Sequence, residues 1–482
     1  MSVPIARELP DELSSTVPLT SEQSALLLLG ERVIFYGLLA LLVLTAIPYG
    51  TVEPWSEALF ECGVLLLAVL WLVQGLFAGR WLPGQMRLFY PLIVLVGFAL
   101  VQSIAWWQTD AAGERVWYAI SADPFETRRF VLKVGALVVA GILLARYTTS
   151  RRRLSTLVHV IIVIAGLAAM FGIVRQSVQH GPGFLLPRLV PGAGYAQFSN
   201  RNHFAFLMEM AMGLVAGLMA VRSGRRERLP FYLAILLALW TALVLANSKG
   251  GLLAMGVQLI FSVILFTSIH PKKSDQIGGN EFAVQRFVRS RAVRLSLAAA
   301  AISIVLGGAI WIGGEPLAAS LEGASVELNV ADQTALHERA RRRDIWRATW
   351  LMVKAHPLAG AGFAGYWAEI PKFHDASGLY TPQQAHNDYL EILASGGLIG
   401  LAMSLWFGAV LIQQARKSLW PGDSFYNAIC LGAIIGLAGV AVHSVFDFGL
   451  HITINAFIFV ALLAILSLER INNPGARSLN AC

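Results

Sequence analysis

A few polar residues have the types and spacing to do chemistry. His386 heads the stretch 386-HNDYLEILASGGLIG-400, with Asn387 beside it and Gly397 and Gly400 behind. A lone histidine is usually structural, but its ordinary pKa lies nearest neutrality. A neutral imidazole here could therefore take a proton from an incoming hydroxyl. Arg341, Arg342 and Arg343 form a run. A solvated helix face would account for at least one of them; the alternative is capture of phosphate or pyrophosphate by planar guanidinium forks. Arg201 lies between Asn200 and Asn202, and Lys249 between Ser248 and Gly250, each where an apolar segment begins. His443, Asp447 and His451 are spaced by four. On one helix they would align and could bind a metal. Gly449 interrupts the set, however, so an interfacial hydrogen-bonded cluster is preferred and no metal site is assigned.

The stretch 357-PLAGAGFAGY-366 contains Gly360, Gly362 and Gly365 in the pattern G-x-G-x-x-G. A dinucleotide fold would need a strand before these glycines and an acidic residue about 20 positions beyond. The preceding residues are helical in pattern, Pro357 ends that helix, and residues 376–387 hold no Asp or Glu. The glycines read instead as a hinge-like turn that lets Arg342 and His386 face one site. No cofactor is expected.

These residues must be positioned by elements that suit lipid. The chain has 482 residues, 56% hydrophobic and 14% charged, with mean hydropathy +0.63. Soluble domains carry about 25% charged residues. The reading is an all-α polytopic membrane protein. Twelve apolar segments are long enough to span, near 31–49, 57–78, 88–106, 130–147, 155–175, 202–221, 230–247, 250–269, 293–313, 388–413, 425–446 and 451–469. Cys62, Cys430 and Cys482 are too scattered for a disulfide framework. The polar first 20 residues do not read as a cleavable signal, so the first span is expected to be an uncleaved anchor.

Basic residues alternate by loop: Arg80 and Arg87, Arg151 to Arg153, Arg222 to Arg228, Lys272 to Arg291, Arg416 and Lys417. The alternate short loops are poorer, apart from Arg115, Arg128 and Arg129 at about 107–129. The net charge of +8 thus reads as membrane topology, not nucleic-acid binding. The expected organisation is a cytoplasmic segment 1–30, spans one to nine within 31–313, a mostly helical external (periplasmic) loop domain at 314–387, spans ten to twelve within 388–469, and a cytoplasmic tail 470–482. Within 336–356, Ile345, Thr349 and Met352 should share one helix face.

The sequence resembles the O-antigen ligase and polymerase superfamily, bacterial membrane enzymes that move lipid-carried glycans. The stretch 386-HNDYLEILASGGLIG-400 is similar to the family's H-[N/S/Q]-x9-G-x-x-[G/T/Y] signature. The stretch 342–366 resembles its Arg-x3-Trp followed by His-Pro-Leu-x-Gly-x-Gly. The segments 198-FSNRNHFA-205 and 443-HSVFDF-448 resemble its N-x-N and late His-Ser/Asp-Phe elements. The resemblance implies a GT-C-like architecture in the bacterial inner membrane with its site facing the periplasm. It implies an inverting, metal-independent transferase whose donor is a glycan on undecaprenyl pyrophosphate. His386 would be the general base and Arg342 would bind or polarise the pyrophosphate, with Arg201 a second candidate. Lys249, Arg341, Asn387 and Asn202 are further substrate-binding candidates. Lys249 departs from the Ser-Arg-Gly of many members, keeping the charge without the bidentate fork.

Lipid A–core, the end of a glycan repeat or a protein side chain could each be the acceptor, with ligase-like transfer preferred. A transporter or flippase is the different-class alternative. It would carry ionisable residues deep in its spans, whereas Glu209 is the main such residue here. A scaffold for glycan assembly would need no base beside paired arginines.

Overall fold

The computed structural model describes residues 21–78, 86–109, 113–191, 194–220, 226–269, 290–313, 342–374, 381–419 and 424–468. Each of the twelve apolar segments contains a helix. In chain order these are α1 (Ser21–Ala46), α2 (Pro54–Ala78), α3 (Tyr90–Gln102), α4 (Pro124–Tyr147), α5 (Arg151–Val178), α6 (Arg201–Met219), α7 (Leu229–Leu245), α8 (Lys249–Ile269) and α9 (Arg291–Gly313). Two helices, α10 (Arg342–Ala355) and the short α11 (Tyr366–Glu369), precede α12 (Asp388–Ser418), α13 (Ser424–His443) and α14 (Thr453–Ser467). Among the described residues, α1, α2, α4, α5, α6, α12 and α13 are long and apolar enough to cross a membrane; the rest of the twelve give shorter apolar stretches. The chain is a mostly helical multi-pass membrane protein with seven long candidate spans, and the figure of twelve crossings rests on the sequence.

Local chemistry starts several of these helices. Asp123 accepts from the backbone N–H groups of Phe125 and Glu126 at the head of α4, where Pro124 needs no partner for a missing N–H. Ser150 caps α5 and Asn200 caps α6 in the same way.

The frame of the bundle is the pair α6 and α13, the most enclosed of the seven long spans. Lipid offers no hydrophobic drive between helices, so close packing must supply it. Gly213 and Gly217 on α6 meet Gly432 and Gly436 on α13. A methyl group on Gly213 would lie 2.4 Å from the Gly436 nitrogen, and one on Gly217 would lie 2.4 Å from the Ala428 oxygen. These pairings make the helices antiparallel and set the start of α6 beside the end of α13.

The all-α expectation fails at one place. α3 ends at Gln102, and β1 (Ala105–Thr109) pairs antiparallel with β2 (Arg115–Ala119), where an irregular loop was expected after a longer span. Trp106 lies opposite Tyr118 and Trp107 opposite Trp117, whose rings are 4.0 Å apart. Aromatic residues favour strands, and such cross-strand pairs stabilise them.

The segment 342–374 has its own small core, built from Ala348, Met352, Val353, Ala361, Tyr366 and Ile370 with Ala385 and Ala394. Ile345, Thr349 and Met352 are buried on one face of α10, as its periodicity requires. Residues 336–341 of the expected helix lie outside the described residues.

The glycine turn is a clamp and not a hinge. α12 breaks at Gly397, where φ is 61° and ψ is −156°. Leu398 and Ile399 then donate their N–H groups to Pro357 and Leu358, at 2.9 and 3.2 Å, while Ala361 and Gly362 donate to Ala394 and Ser395, both at 2.9 Å. The turn thus satisfies backbone groups that a broken helix would leave bare, which lipid would not tolerate. Gln102 of α3 locks the joint, donating to Ala359 O at 2.6 Å and Ser395 O at 3.0 Å and accepting from Phe363 N at 3.2 Å.

Candidate active site

At the antiparallel junction of α6 and α13 the carboxylate of Asp447 is buried to 0% exposure. An isolated buried charge is costly, so its partners identify the site. His386 Nδ1 donates to Asp447 Oδ1 at 3.2 Å. Phe448 N donates to the same oxygen at 2.9 Å. Asn202 Nδ2 donates to Oδ2, and Arg342 Nη2 forms an ion pair with Oδ2 at 3.6 Å. Burial alone would raise the Asp447 carboxyl. The His386 hydrogen bond and the charges of His386, His203 and Arg342 outweigh it and hold the carboxyl well below the usual range.

Each partner is delivered by a separate device. Arg342 opens α10. One turn later Trp346 Nε1 donates to Ala385 O at 2.9 Å, tying α10 to the residue before His386. Ala385 N donates in turn to Glu391 Oε2 at 2.8 Å. Between these anchors His386 takes φ +51°, a left-handed conformation uncommon outside glycine and held only where surroundings over-determine it. Its ring sits edge-on to Phe448, with centroids 4.9 Å apart. Asn202 is set by the cap of α6, where its N–H donates to Asn200 Oδ1 at 2.8 Å. Its own Oδ1 accepts from Ser248 Oγ at 2.7 Å. That contact brings in the start of α8, so Arg201 and Lys249, both exposed, flank the same junction from two helices.

His443, Asp447 and His451 do not share one centre. α13 ends at His443, and a turn with a 3-10 segment at Gly449–His451 splits the set. His443 is fully buried, with Nδ1 2.7 Å from Glu209 Oε1 and its ring stacked on Phe206. A methyl group on Gly250 would lie 2.8 Å from His443 Nε2, so the glycine after Lys249 makes room for that ring. His451 Nε2 instead lies 3.7 Å from Asp388 Oδ1 and 3.6 Å from Glu391 Oε1. The helical alignment suggested by the spacing is replaced by three separate pairings.

Of the candidates read from sequence, His386, Arg342 and Asn202 converge directly on Asp447. Arg201 and Lys249 flank it through neighbouring residues. Asn387 uses its side chain to cap α12, accepting from Leu390 N at 3.0 Å. Arg341 lies outside the described residues. Sequence reasoning left Asp447 without a role, although the likeness of 443-HSVFDF-448 to a late motif marked the stretch. The carboxylate fixes Nδ1 of His386 as the protonated nitrogen, leaving Nε2 with a free lone pair on a ring that is about one-third exposed (32%). The arrangement can therefore accept a proton at Nε2 and stabilise the resulting imidazolium, next to cations able to hold an anion.

Residues 233–405 match the family model described as O-antigen ligase. No curated protein matches the chain. The match takes in Lys249, Arg342 and His386; Arg201, Asn202 and Asp447 fall outside it. Over that domain, which contributes α8, α10 and the start of α12 to the site, the chain is similar to the O-antigen ligase family.

Proposed function

We propose that the protein transfers a glycan from undecaprenyl pyrophosphate to an acceptor hydroxyl with inversion at the transferred sugar. The observation that carries this reading is the Asp447–His386 pair beside Arg342. The acceptor hydroxyl attacks the anomeric carbon from the face opposite the pyrophosphate. As the new C–O bond forms, His386 Nε2 takes the hydroxyl proton, and the bond from that carbon to the pyrophosphate oxygen breaks. Asp447 stabilises the imidazolium. Arg342, Arg201, Lys249 and Arg341 neutralise the leaving pyrophosphate, a role arginine suits through its bidentate fork. Asn202 serves by orienting Asp447, and Asn387 by starting the helix that follows the base.

In this reading residues 314–387 and the cluster face the periplasm, and the Lys- and Arg-rich loops face the cytoplasm. The opposite ends of α12 support it: His386 and Asn387 precede its start, and Arg416 and Lys417 lie in its last turn. The preferred acceptor is lipid A–core or a related surface glycan; a growing repeat-unit chain or a protein hydroxyl would take the same position.

The test is an in vitro transfer assay with undecaprenyl pyrophosphate-linked glycan, comparing wild type with His386→Ala and Arg342→Ala. Both variants should lose transfer, and full transfer by both would overturn the mechanism. Offering lipid A–core, free glycan and protein acceptors in the same assay separates ligase, polymerase and protein-modifying activity.

A further inference from the structure

At the far end of α12 from His386, a groove of about 650 Å³ opens between that helix and the entrance to α3. One wall is a stripe of α12 that includes Trp406, Val410 and Lys417, and the other holds Met86, Arg87 and Tyr90. From Gly397 to Lys417 is 20 residues, roughly 30 Å of helix, or about one hydrocarbon thickness. The mouth of the groove therefore lies at the membrane–water boundary opposite the His386 cluster.

The chemistry changes along the groove. Arg87 and Lys417 are exposed, and no carboxylate is among the described residues that line it. Arg87 Nη2 donates to Gln413 Oε1 at 3.0 Å, which holds the guanidinium against α12, one turn before Lys417. Trp406 lies 11 residues below Lys417, roughly 16 Å deeper along the helix. Val410 is buried, and Tyr90 and Trp406 stand half-exposed beside it. Arg87 and Lys417 at one end, with Tyr90, Val410 and Trp406 beyond them, fit an amphiphile with an anionic head. Clustered cations alone could serve only to orient the chain in the membrane, but that role needs no groove leading from them.

We propose that this groove binds an anionic phospholipid, its phosphate between Arg87 and Lys417 and an acyl chain against Tyr90, Val410 and Trp406. The site is independent of the transfer reaction and stands or falls separately from it.

Native mass spectrometry of the full-length protein in detergent tests the site, with phosphatidylglycerol or phosphatidylcholine of matched chains added. Wild type should retain phosphatidylglycerol preferentially. Each interfacial cation is worth about fivefold in affinity, so Arg87→Gln and Lys417→Gln should each weaken retention about fivefold. The double variant should approach the level of phosphatidylcholine. Melting temperature without added lipid should stay unchanged, because both side chains are on the surface. Trp406→Ala should weaken both lipids while keeping the preference for phosphatidylglycerol. Equal retention of the two lipids by wild type, or undiminished phosphatidylglycerol on the double variant, would overturn the site. Displacement of the lipid by millimolar inorganic phosphate would mark a free-anion site and overturn the lipid assignment.

Discussion

Asp447 is fully buried, and the groups that keep it charged are the groups it orients. Replacing it with Asn preserves shape but allows an amide N–H to face His386 Nδ1, which favours the wrong tautomer. Asp447→Asn should lower transfer on the order of 10³-fold or more. The double variant with His386→Ala should be no worse than His386→Ala alone, because the two residues act as one unit; additive losses in the transfer assay would argue against the pair. Asp447 also sets a pH dependence. Its folded carboxyl is held below the value of about 4 that it has when unfolded. The stability it contributes is therefore present above about pH 4 and is lost as pH falls through the folded value. Melting curves in detergent from pH 5 to pH 2 should show this loss setting in below about pH 4 in wild type and a shallower one in Asp447→Asn.

At the scale of elements, the break in α12 and the glycine turn form one joint. Gly362 has φ +92°, and a methyl group there would lie 2.3 Å from Ser121 Oγ. Gly362→Val should cost about 1–3 kcal/mol from left-handed strain, and more from the clash. Both the melting temperature and transfer should fall, although no polar group is removed; unchanged values in both would count against the clamp. Trp346→Phe tests the neighbouring link. It removes the bond to Ala385 O and should cost about 1 kcal/mol. The loss should appear mainly in kcat if the link positions His386, whereas a merely structural role would shift melting temperature and leave kcat alone.

For the whole molecule, the α6–α13 crossing decides whether the site exists at all, since Asn202 comes from one helix and Asp447 follows the other. Gly213→Leu would force the backbones apart. It should destabilise the bundle by at least the 1–3 kcal/mol of ordinary overpacking, read from the melting temperature in detergent. Leu at Gly256, where a methyl group would meet nothing within 4 Å, is the control and should be nearly neutral. The orientation in the membrane is checked by a single cysteine in a cysteine-free background. A membrane-impermeant maleimide should label Asp344→Cys from outside intact inner membranes and Lys417→Cys only after permeabilisation. The reverse pattern would invert the proposed topology.

The sequence by itself determined where the helices are and most of the polar residues at the site. Whether a segment of Leu, Val and Ala prefers lipid depends mainly on its own composition, so all twelve apolar segments could be read locally. His386 and Arg342 stood out because polar residues are rare in such a chain. Tertiary structure decided how they are used. Asp447 reaches His386 across 61 positions and Asn202 across 245, and no local pattern encodes partners that far apart. The same holds for Gly360 and Gly362, whose form suggested a cofactor loop or a hinge. The backbone of the turn that holds them bonds to α12, to Gln102 of α3 and to Thr127 of α4, and only those neighbours make the turn a clamp. The hairpin at 105–119 escaped the reading because helical apolarity and strand-forming aromatics look alike over five residues. Composition fixes preference for a solvent; geometry between distant residues fixes chemistry.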